Sequence, residues 1–246
     1  MPLRFPVGIV RFPGTNCDGD TWEAVSLLPE LEPVWVGHRQ TGDSGLSAMI
    51  LPGGFSYGDY LRTGAIAAIA PVMRLVAAFA EAGMPVLGIC NGFQILTEAG
   101  LLPGVLLPNS GRSFLCQEER LVVERTETPF TALFQPGDRI ALPIAHQEGR
   151  FAIDPGDLQT LEENGQVLLR YGVNPNGSIH GIAGVTNPRG NVAGLMPHPE
   201  RRARSGGHST DGLPFFQSLL QTLLKGPGEP ANARSFTADA RGVGHD

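Results

Sequence analysis

The sequence predicts an α/β protein: a central, mostly parallel sheet with helices on both faces, extended by antiparallel strands in the second half. Over residues 7–96, short apolar runs alternate with helical patterns, which is typical of a parallel sheet covered on both sides. Past Leu102 the strand-like segments follow one another closely, which indicates antiparallel pairing. No linker-like stretch separates the halves, so we expect a single domain over residues 1–225.

Four short apolar runs in the first half, each stopped by turn residues, are the predicted parallel strands. They cover residues 7–10, 33–37, 48–51 and 85–89. Helical patterns are predicted between them, at residues 18–28 and 63–81, and Pro71 suits the first turn of a second segment within the latter. Ligands of such sheets bind at the carboxyl ends of the strands. We therefore expect the loops 12–16 and 53–60 and the turn at Cys90 to meet at one edge of the sheet.

Five further strand-like segments lie in the second half, at residues 115–125, 139–146, 167–171, 181–186 and 191–196. Residues 187–190, Asn-Pro-Arg-Gly, have the composition of a hairpin turn between the last two. An amphipathic pattern over residues 213–224 predicts a closing helix. Residues 226–246 are rich in Gly, Pro, Ala and Ser with few large apolar side chains, so we expect a disordered tail.

The composition argues against several classes of function. The net charge is −6 and no basic run interleaves with aromatic residues, so we expect no nucleic-acid partner. No apolar run approaches the roughly 18–20 residues of a membrane span, and the N-terminus lacks the apolar core of a signal peptide. The three cysteines, Cys17, Cys90 and Cys116, are too widely spaced for a disulfide framework or a metal motif. The expected compartment is the cytoplasm.

The stretch Gly88-Ile89-Cys90-Asn91-Gly92 has the pattern of a nucleophile elbow, with cysteine in place of serine. An apolar strand ends at Cys90 and a helical pattern begins directly after it. Glycines on both sides allow the strand and helix backbones to approach closely around a strained turn. The N-terminus of the helix favours the thiolate form of a cysteine. The alternative is an ordinary buried cysteine at the end of a strand.

A base for such a nucleophile is available in the stretch Pro197-His198-Pro199-Glu200. The two prolines favour an extended backbone, on which His198 and Glu200 point the same way. Glu200 can then orient one ring nitrogen and leave the other to face a thiol. The alternative is a solvated histidine and glutamate on a loop.

Donors for an oxyanion are predicted in the stretch Pro52-Gly53-Gly54, which follows the strand at residues 48–51. Two glycines at the end of a buried strand expose backbone N–H groups. These donors, together with the N–H of Asn91, suit the oxyanion of a tetrahedral acyl intermediate. The alternative is a plain turn between a strand and a loop.

Taken together, and in this chain order, the three motifs resemble those of the class I, or triad, glutamine amidotransferases. Within that family the chain is similar to the small glutaminase subunits of phosphoribosylformylglycinamidine synthases, over about residues 7–224. The segments that carry this narrower resemblance are residues 11–18, 53–66, 144–151, 174–178 and 190–201. At Gln147 the chain departs from this resemblance, because a glycine is expected there.

The resemblance implies a flavodoxin-like sheet and the hydrolysis of L-glutamine to glutamate and ammonia. Cys90 would attack the side-chain amide, His198 would transfer protons and Glu200 would orient His198. The remaining roles fall on residues near these three. Gly54 and Asn91 would supply oxyanion donors. The residues that would bind substrate are Gly53, Phe55 and Gln94, and the loop 109–114 is a further candidate for the pocket. His146 is left outside the catalytic set, and Cys17 and Cys116 are interpreted as structural thiols.

The resemblance also implies partners. Ammonia would pass to a large synthetase subunit that uses ATP and Mg²⁺ to make formylglycinamidine ribonucleotide in purine synthesis, and a small bridging subunit would join the two. No cofactor or metal is expected on this chain. The only lysine among its residues is Lys225, so a phosphate-binding G-x-x-x-x-G-K-[ST] loop is impossible here.

Two other functions stay open at this point. One is an amidotransferase that supplies ammonia to a different synthetase; residues 53–66 and 174–178 argue against it. The other is a non-catalytic or redox-sensing protein of the related cysteine-elbow fold, in which Cys90 is oxidised. Such proteins usually have a histidine directly after the cysteine, whereas this chain has Asn91.

Overall fold

A computed structural model describes residues 3–42, 45–206 and 209–226. The predicted tail lies outside the described residues from position 227 onward. The strands are β1 (Phe5–Arg11), β2 (Leu31–Gly37), β3 (Ala48–Leu51), β4 (Val86–Ile89), β5 (Val105–Leu107), β6 (Leu115–Val123), β7 (Arg139–His146), β8 (Arg150–Ala152), β9 (Val167–Tyr171), β10 (Ile182–Thr186) and β11 (Val192–Leu195). The helices are α1 (Asp18–Ser26), α2 (Ala65–Ala68), α3 (Val72–Glu81), α4 (Asn91–Glu98), α5 (Pro155–Glu163) and α6 (Leu213–Lys225).

The main sheet has nine strands in the order β2-β1-β3-β4-β11-β10-β9-β6-β7. The first five are parallel to one another, and their order is that of a flavodoxin-like doubly wound sheet. The other four pair antiparallel. The predicted fold class is therefore confirmed. One strand differs from expectation, because β11 lies parallel to β4 and completes the parallel part before the antiparallel extension begins.

Helices cover both faces of the parallel part. The crossover from β1 to β2 runs in one direction along the sheet, and those from β3 to β4 and from β4 to β11 run in the other. Since such crossovers are right-handed, α1 lies on one face and α3 and α4 lie on the opposite face. In agreement, α1 contacts α6 on its side and α4 contacts α2 on the other. No helix in the described part of the chain is long and apolar enough to cross a membrane.

Most predicted elements form within a few residues of their expected bounds, and two sets of elements were not predicted. The stretch at residues 63–81 contains two helices, α2 and α3, and Pro71 directly precedes α3, in line with the second segment expected there. The sequence interpretation missed α5, although Asp154 and Pro155 are typical helix-start residues. It also missed the two-stranded sheet of β5 and β8, because three-residue strands are too short to show a period.

The sheet brings the loops that follow β1, β3, β4 and β11 to a single edge. All four strands are buried along most or all of their length, as expected for strands with both faces covered. The antiparallel part bends back toward the same edge. Two contacts from the end of β7 show this: the carbonyl of Pro143 accepts the His198 N–H (2.8 Å), and the carbonyl of Ala145 lies 3.6 Å from the Cys90 sulfur.

Candidate active site

Cys90 sits at the turn between β4 and α4 with φ 50° and ψ −105°. For a residue with a side chain this left-handed conformation is strained, and strain of this kind is typical of a nucleophile elbow. The glycines on either side make the turn possible. A Cβ on Gly88 would lie 2.7 Å from the backbone of Gly92, and one on Gly92 would lie 1.9 Å from the carbonyl oxygen of Leu51. The predicted close approach of strand and helix is therefore present.

His198 and Glu200 follow β11 and form a buried pair. His198 Nδ1 lies 2.6 Å from Glu200 Oε1, and the two side chains are 1% and 0% exposed. This contact occupies Nδ1 and leaves Nε2 as the nitrogen available to a thiol. Burial alone would lower the pKa of His198, but the charge of Glu200 and the thiol of Cys90 outweigh it and hold the pKa well above its usual range. The imidazole is therefore suited to take a proton from Cys90.

Gly53 lies at the centre of this group. A Cβ at this position would lie 2.7 Å from His198 Cε1, 3.2 Å from the Cys17 sulfur and 3.4 Å from Cys90 Cβ. The absence of a side chain therefore allows the histidine and the two cysteines to approach one another. The predicted role of Gly53 in binding substrate stays a prediction, and the structure adds this steric requirement to it.

Cys17, interpreted from sequence as a structural thiol, lies inside this group. Its sulfur accepts a hydrogen bond from the Arg201 guanidinium (3.2 Å), and the same thiol helps to raise the pKa of His198. Cys17, His198 and Glu200 are the only set of three metal-ligating side chains found close together among the described residues, with one ligand atom of each within 4.8 Å of the others. Glu200 is already hydrogen-bonded to His198, and Arg201 is hydrogen-bonded to Cys17, so these groups already have partners within the protein. The expected absence of a metal stays a prediction.

The two predicted oxyanion donors flank the nucleophile. Gly54 has φ 152°, a conformation that favours glycine, and a Cβ there would lie 2.8 Å from Asn16 N and Gly14 O. Asn91 is the first residue of α4, where backbone N–H groups have no intrahelical partner. Within the described ranges, neither the Gly54 nor the Asn91 N–H donates a hydrogen bond to protein. Both are therefore available to a ligand.

A cavity of about 250 Å³ opens beside Cys90. Pockets for drug-sized ligands have volumes of roughly 300–1,000 Å³, so this smaller volume suits a ligand the size of an amino acid. Gly54, Phe55 and Gln94 line it, as do Phe114 and the end of β7. Phe55 stacks on Phe114 across the opening, with ring centroids 6.5 Å apart.

Gln94 is buried one helical turn past Cys90. Its Oε1 accepts a hydrogen bond from Asn91 Nδ2 (3.0 Å), and its Nε2 donates to the carbonyl of Glu148. These bonds hold its amide in the wall of the cavity. All the predicted site residues are thus brought together, while their roles remain predictions.

Five polar residues of the cavity wall are absent from the predicted site: Asp59, Thr63, His146, Gln147 and Glu148. The segments 53–66 and 144–151, which carry the narrower resemblance, contain all five and were the available signal for them. His146 is 3% exposed, and its Nδ1 contacts Asn109 Oδ1 at 3.1 Å. Burial and the neighbouring His198 lower the pKa of His146 to about 4, so its ring is neutral at physiological pH.

Several known proteins are similar to this chain in sequence or in structure. The family of the CobB/CobQ-like glutamine amidotransferase domain matches residues 4–212. Phosphoribosylformylglycinamidine synthase subunit PurQ of Synechococcus elongatus is 54% identical over 219 residues, which are 88% of this chain and 98% of that protein. The PurQ subunit of Rubrobacter xylanophilus is 54% identical over 214 residues, 87% of this chain and 97% of that one.

Among solved structures, PurLQS from Thermotoga maritima contains a chain with a TM-score of 0.82 and 45% identity. The match covers 90% of the present chain and 100% of that chain. These similarities confirm the resemblance on which the sequence interpretation depends. The chain therefore belongs to the glutamine amidotransferase family and, within it, to the PurQ subunits of phosphoribosylformylglycinamidine synthase.

Proposed function

We propose that this chain is the glutaminase subunit of a phosphoribosylformylglycinamidine synthase, an enzyme subunit of purine biosynthesis. It hydrolyses L-glutamine to glutamate and ammonia. The observation that carries this proposal is the arrangement around the cavity. A strained cysteine, a buried histidine–glutamate pair and two backbone donors meet beside a space that suits an amino acid. These are the parts of an acyl-transfer site that uses a cysteine nucleophile.

The reaction begins when the Cys90 sulfur attacks the side-chain amide carbon of glutamine and His198 takes the thiol proton. The oxygen of the tetrahedral intermediate becomes negative, and the N–H groups of Gly54 and Asn91 stabilise it. The C–N bond then breaks, and His198 gives its proton to the departing ammonia. The product of this half-reaction is a γ-glutamyl thioester on Cys90.

Water completes the cycle. His198 takes a proton from a water molecule, which attacks the thioester carbon; the C–S bond breaks, glutamate leaves and Cys90 regains its proton. Glu200 keeps Nδ1 of His198 occupied throughout, so that Nε2 carries every transfer. Because His198 and Glu200 are almost fully buried, bulk water competes little for these hydrogen bonds.

The ammonia is consumed elsewhere, by a large synthetase subunit that binds ATP and Mg²⁺, with a small bridging subunit between the two. Two observations support this part of the proposal. The similar chain from Thermotoga maritima comes from a structure described as PurLQS, which names more than one component. The present chain has its only lysine at position 225, so it has no G-x-x-x-x-G-K-[ST] loop with which to bind ATP.

Covalent labelling tests the proposed chemistry. The complex with its partner subunits is incubated with diazo-oxo-norleucine, a reactive glutamine analogue, and digested for mass spectrometry. We expect one adduct, on Cys90, which excess L-glutamine prevents. Cys90→Ser should abolish the adduct. The control Cys116→Ser, which changes an exposed cysteine, should leave it unchanged.

The labelling result also separates this function from the redox-sensing alternative. A protein that only senses oxidants has no reason to discriminate in favour of a glutamine analogue. An unlabelled Cys90 in the intact complex would therefore exclude the glutaminase function. Labelling of Cys17 instead would show that the nucleophile has been assigned to the wrong thiol.

A further inference from the structure

Three arginines follow the buried histidine–glutamate pair along the chain: Arg201, Arg202 and Arg204. The second and third form ion pairs with the exposed carboxylates of Glu118 and Glu23, respectively. Exposed ion pairs contribute little to the stability of a local structure. The first arginine differs from the other two, because its guanidinium donates a hydrogen bond (3.2 Å) to the sulfur of Cys17, which is buried.

Cys17 brings this hydrogen bond next to the imidazole of His198. Its sulfur lies within 4.8 Å of a ring nitrogen of His198 and of a carboxylate oxygen of Glu200. The contact requires Gly53, because a Cβ there would lie 3.2 Å from the sulfur and 2.7 Å from His198 Cε1. Burial lowers the pKa of His198, and the hydrogen bond with the Cys17 thiol is among the contacts that raise it again. Cys17 is thus a third group, besides Glu200 and Cys90, that faces the imidazole.

The backbone of Cys17 is fixed on both sides of the residue. Cys17 directly precedes α1, and its carbonyl accepts hydrogen bonds from the N–H (3.0 Å) and the hydroxyl (2.9 Å) of Thr21. Its N–H donates to the carbonyl of Gly53 (3.1 Å). Because the side chain is also packed in the interior, the sulfur has little space in which to move.

Arg201 connects this fixed sulfur to the histidine–glutamate pair. It directly follows Glu200, and its N–H donates to the carbonyl of His198 (3.3 Å). Its side chain reaches α1, where it bonds to Cys17 and lies 3.5 Å from the exposed carboxylate of Asp20. The backbone that carries the pair is therefore linked to the start of α1 through a hydrogen bond to a buried atom.

We propose that Cys17 and Arg201 form a positioning pair that holds the imidazole of His198 in place beside the nucleophile. Neither residue lines the cavity beside Cys90, so the pair acts through the imidazole and not on the substrate. The inference rests on the proposed function, since it assumes that His198 transfers the protons of glutamine hydrolysis. A displacement of about 1 Å in a catalytic group can cost about a hundredfold in rate, so even a small shift of the ring is measurable.

The test removes each partner in the reconstituted complex. We expect Cys17→Ala and Arg201→Gln each to lower kcat for L-glutamine hydrolysis at least tenfold and to keep KM within about twofold of the native value, because the lost contact serves the reaction and not substrate binding. The double variant should lower kcat by no more than about threefold beyond the more impaired single variant, since residues that act as one unit are not additive. Cys17→Ser keeps an acceptor for the guanidinium and should restore kcat to within about fivefold of native.

Arg204→Gln is the matched control, because it removes an arginine of the same segment whose partner, Glu23, is exposed. It should leave kcat and KM within about twofold of native. Ammonia-dependent synthesis should be unchanged in every variant, which shows that the complex is folded and assembled. If Cys17→Ala fails to assemble, Arg201→Gln and Cys17→Ser still decide the question, since the first changes a partly exposed side chain and the second changes a single atom.

Different outcomes would overturn different statements. If Cys17→Ala and Arg201→Gln hydrolyse L-glutamine with native kcat, the positioning pair is wrongly assigned and the proposed function stands. If the two substitutions lower kcat independently, so that their effects multiply in the double variant, the residues do not act as a pair and the inference is wrong. If the native complex neither hydrolyses L-glutamine nor reacts with diazo-oxo-norleucine, the proposed function fails and the inference fails with it.

Discussion

At the scale of single residues, the candidate active site depends on a position that has no side chain. Gly53 leaves the space in which His198, Cys17 and Cys90 come together. Packed interiors tolerate added atoms poorly, and a Cβ 2.7 Å from His198 Cε1 would force the imidazole to move. The imidazole is also held by the hydrogen bond between its Nδ1 and Glu200. It can therefore move only by breaking or distorting that hydrogen bond.

Gly53→Ala is therefore expected to impair catalysis more than folding. A displacement of about 1 Å in a catalytic group can cost about a hundredfold in rate. We expect kcat for the glutamine-dependent reaction to fall about a hundredfold. The free energy of unfolding, measured in urea, should fall by about 1–3 kcal/mol. Gly37→Ala is the matched control, because nothing lies within 4 Å of its Cβ position. A Gly53→Ala enzyme with native kcat would show that the imidazole does not need this space.

The residues with predicted catalytic roles were recognisable because each lies in a short local motif. Cys90 lies between two glycines, each two residues away. His198 lies between two prolines, and Glu200 follows the second of them. Asp59, His146 and Glu148 have no such local pattern. Asp59 has φ 55° in a segment where Tyr57 and Leu61 also have positive φ, and its orientation depends on that irregular backbone. Positions set by tertiary contacts of this kind cannot be inferred from spacing along the chain.

At the scale of secondary-structure elements, the elbow depends on the close packing of β3, β4 and α4. Gly88 and Gly92 are the contact points, and the Cβ position of Gly92 overlaps the carbonyl of Leu51. The bounds of β3, β7 and β9 follow from their apolar patterns, because buried strands select for such residues. That β7 returns to the cysteine does not follow from its pattern, since it results from the bend of four antiparallel strands.

Gly92→Ala provides a test in which two effects have opposite signs. Alanine favours a helix over glycine by roughly 1 kcal/mol, which would stabilise α4. The Cβ would lie only 1.9 Å from the carbonyl oxygen of Leu51, a backbone atom, so a rotamer change cannot relieve the clash and the clash should dominate. We expect the free energy of unfolding to fall by about 3 kcal/mol, measured by urea denaturation.

The control for this prediction is Gly156→Ala in the first turn of α5, where nothing lies within 4 Å of the Cβ position. Only the propensity effect acts there, so this variant should be stabilised by up to about 1 kcal/mol. If Gly92→Ala also raised the free energy of unfolding, α4 would not pack against β3 as closely as described here.

At the scale of the whole molecule, one sheet serves two purposes. Its parallel part places the cysteine, the histidine–glutamate pair and the glycine pair at one edge, as strands of a doubly wound sheet do. Its antiparallel part supplies the opposite wall of the cavity through the end of β7 and the residues that follow. The cavity is thus enclosed by both halves of the chain, which brings the motifs near residues 53, 90, 147 and 198 together.

The same organisation predicts how the activity divides between subunits. The residues proposed to release ammonia all lie on this chain, and the ATP-dependent step is proposed for its partner. Cys90→Ser keeps the size and shape of the side chain but removes the nucleophilic sulfur. In the reconstituted complex, glutamine-dependent synthesis of formylglycinamidine ribonucleotide should therefore fall by at least a thousandfold, while synthesis from added ammonium chloride should remain within about twofold of native. Cys116→Ser should leave both rates unchanged. Loss of both activities in Cys90→Ser, with assembly of the complex verified by gel filtration, would mean that this chain also takes part in the synthetase step.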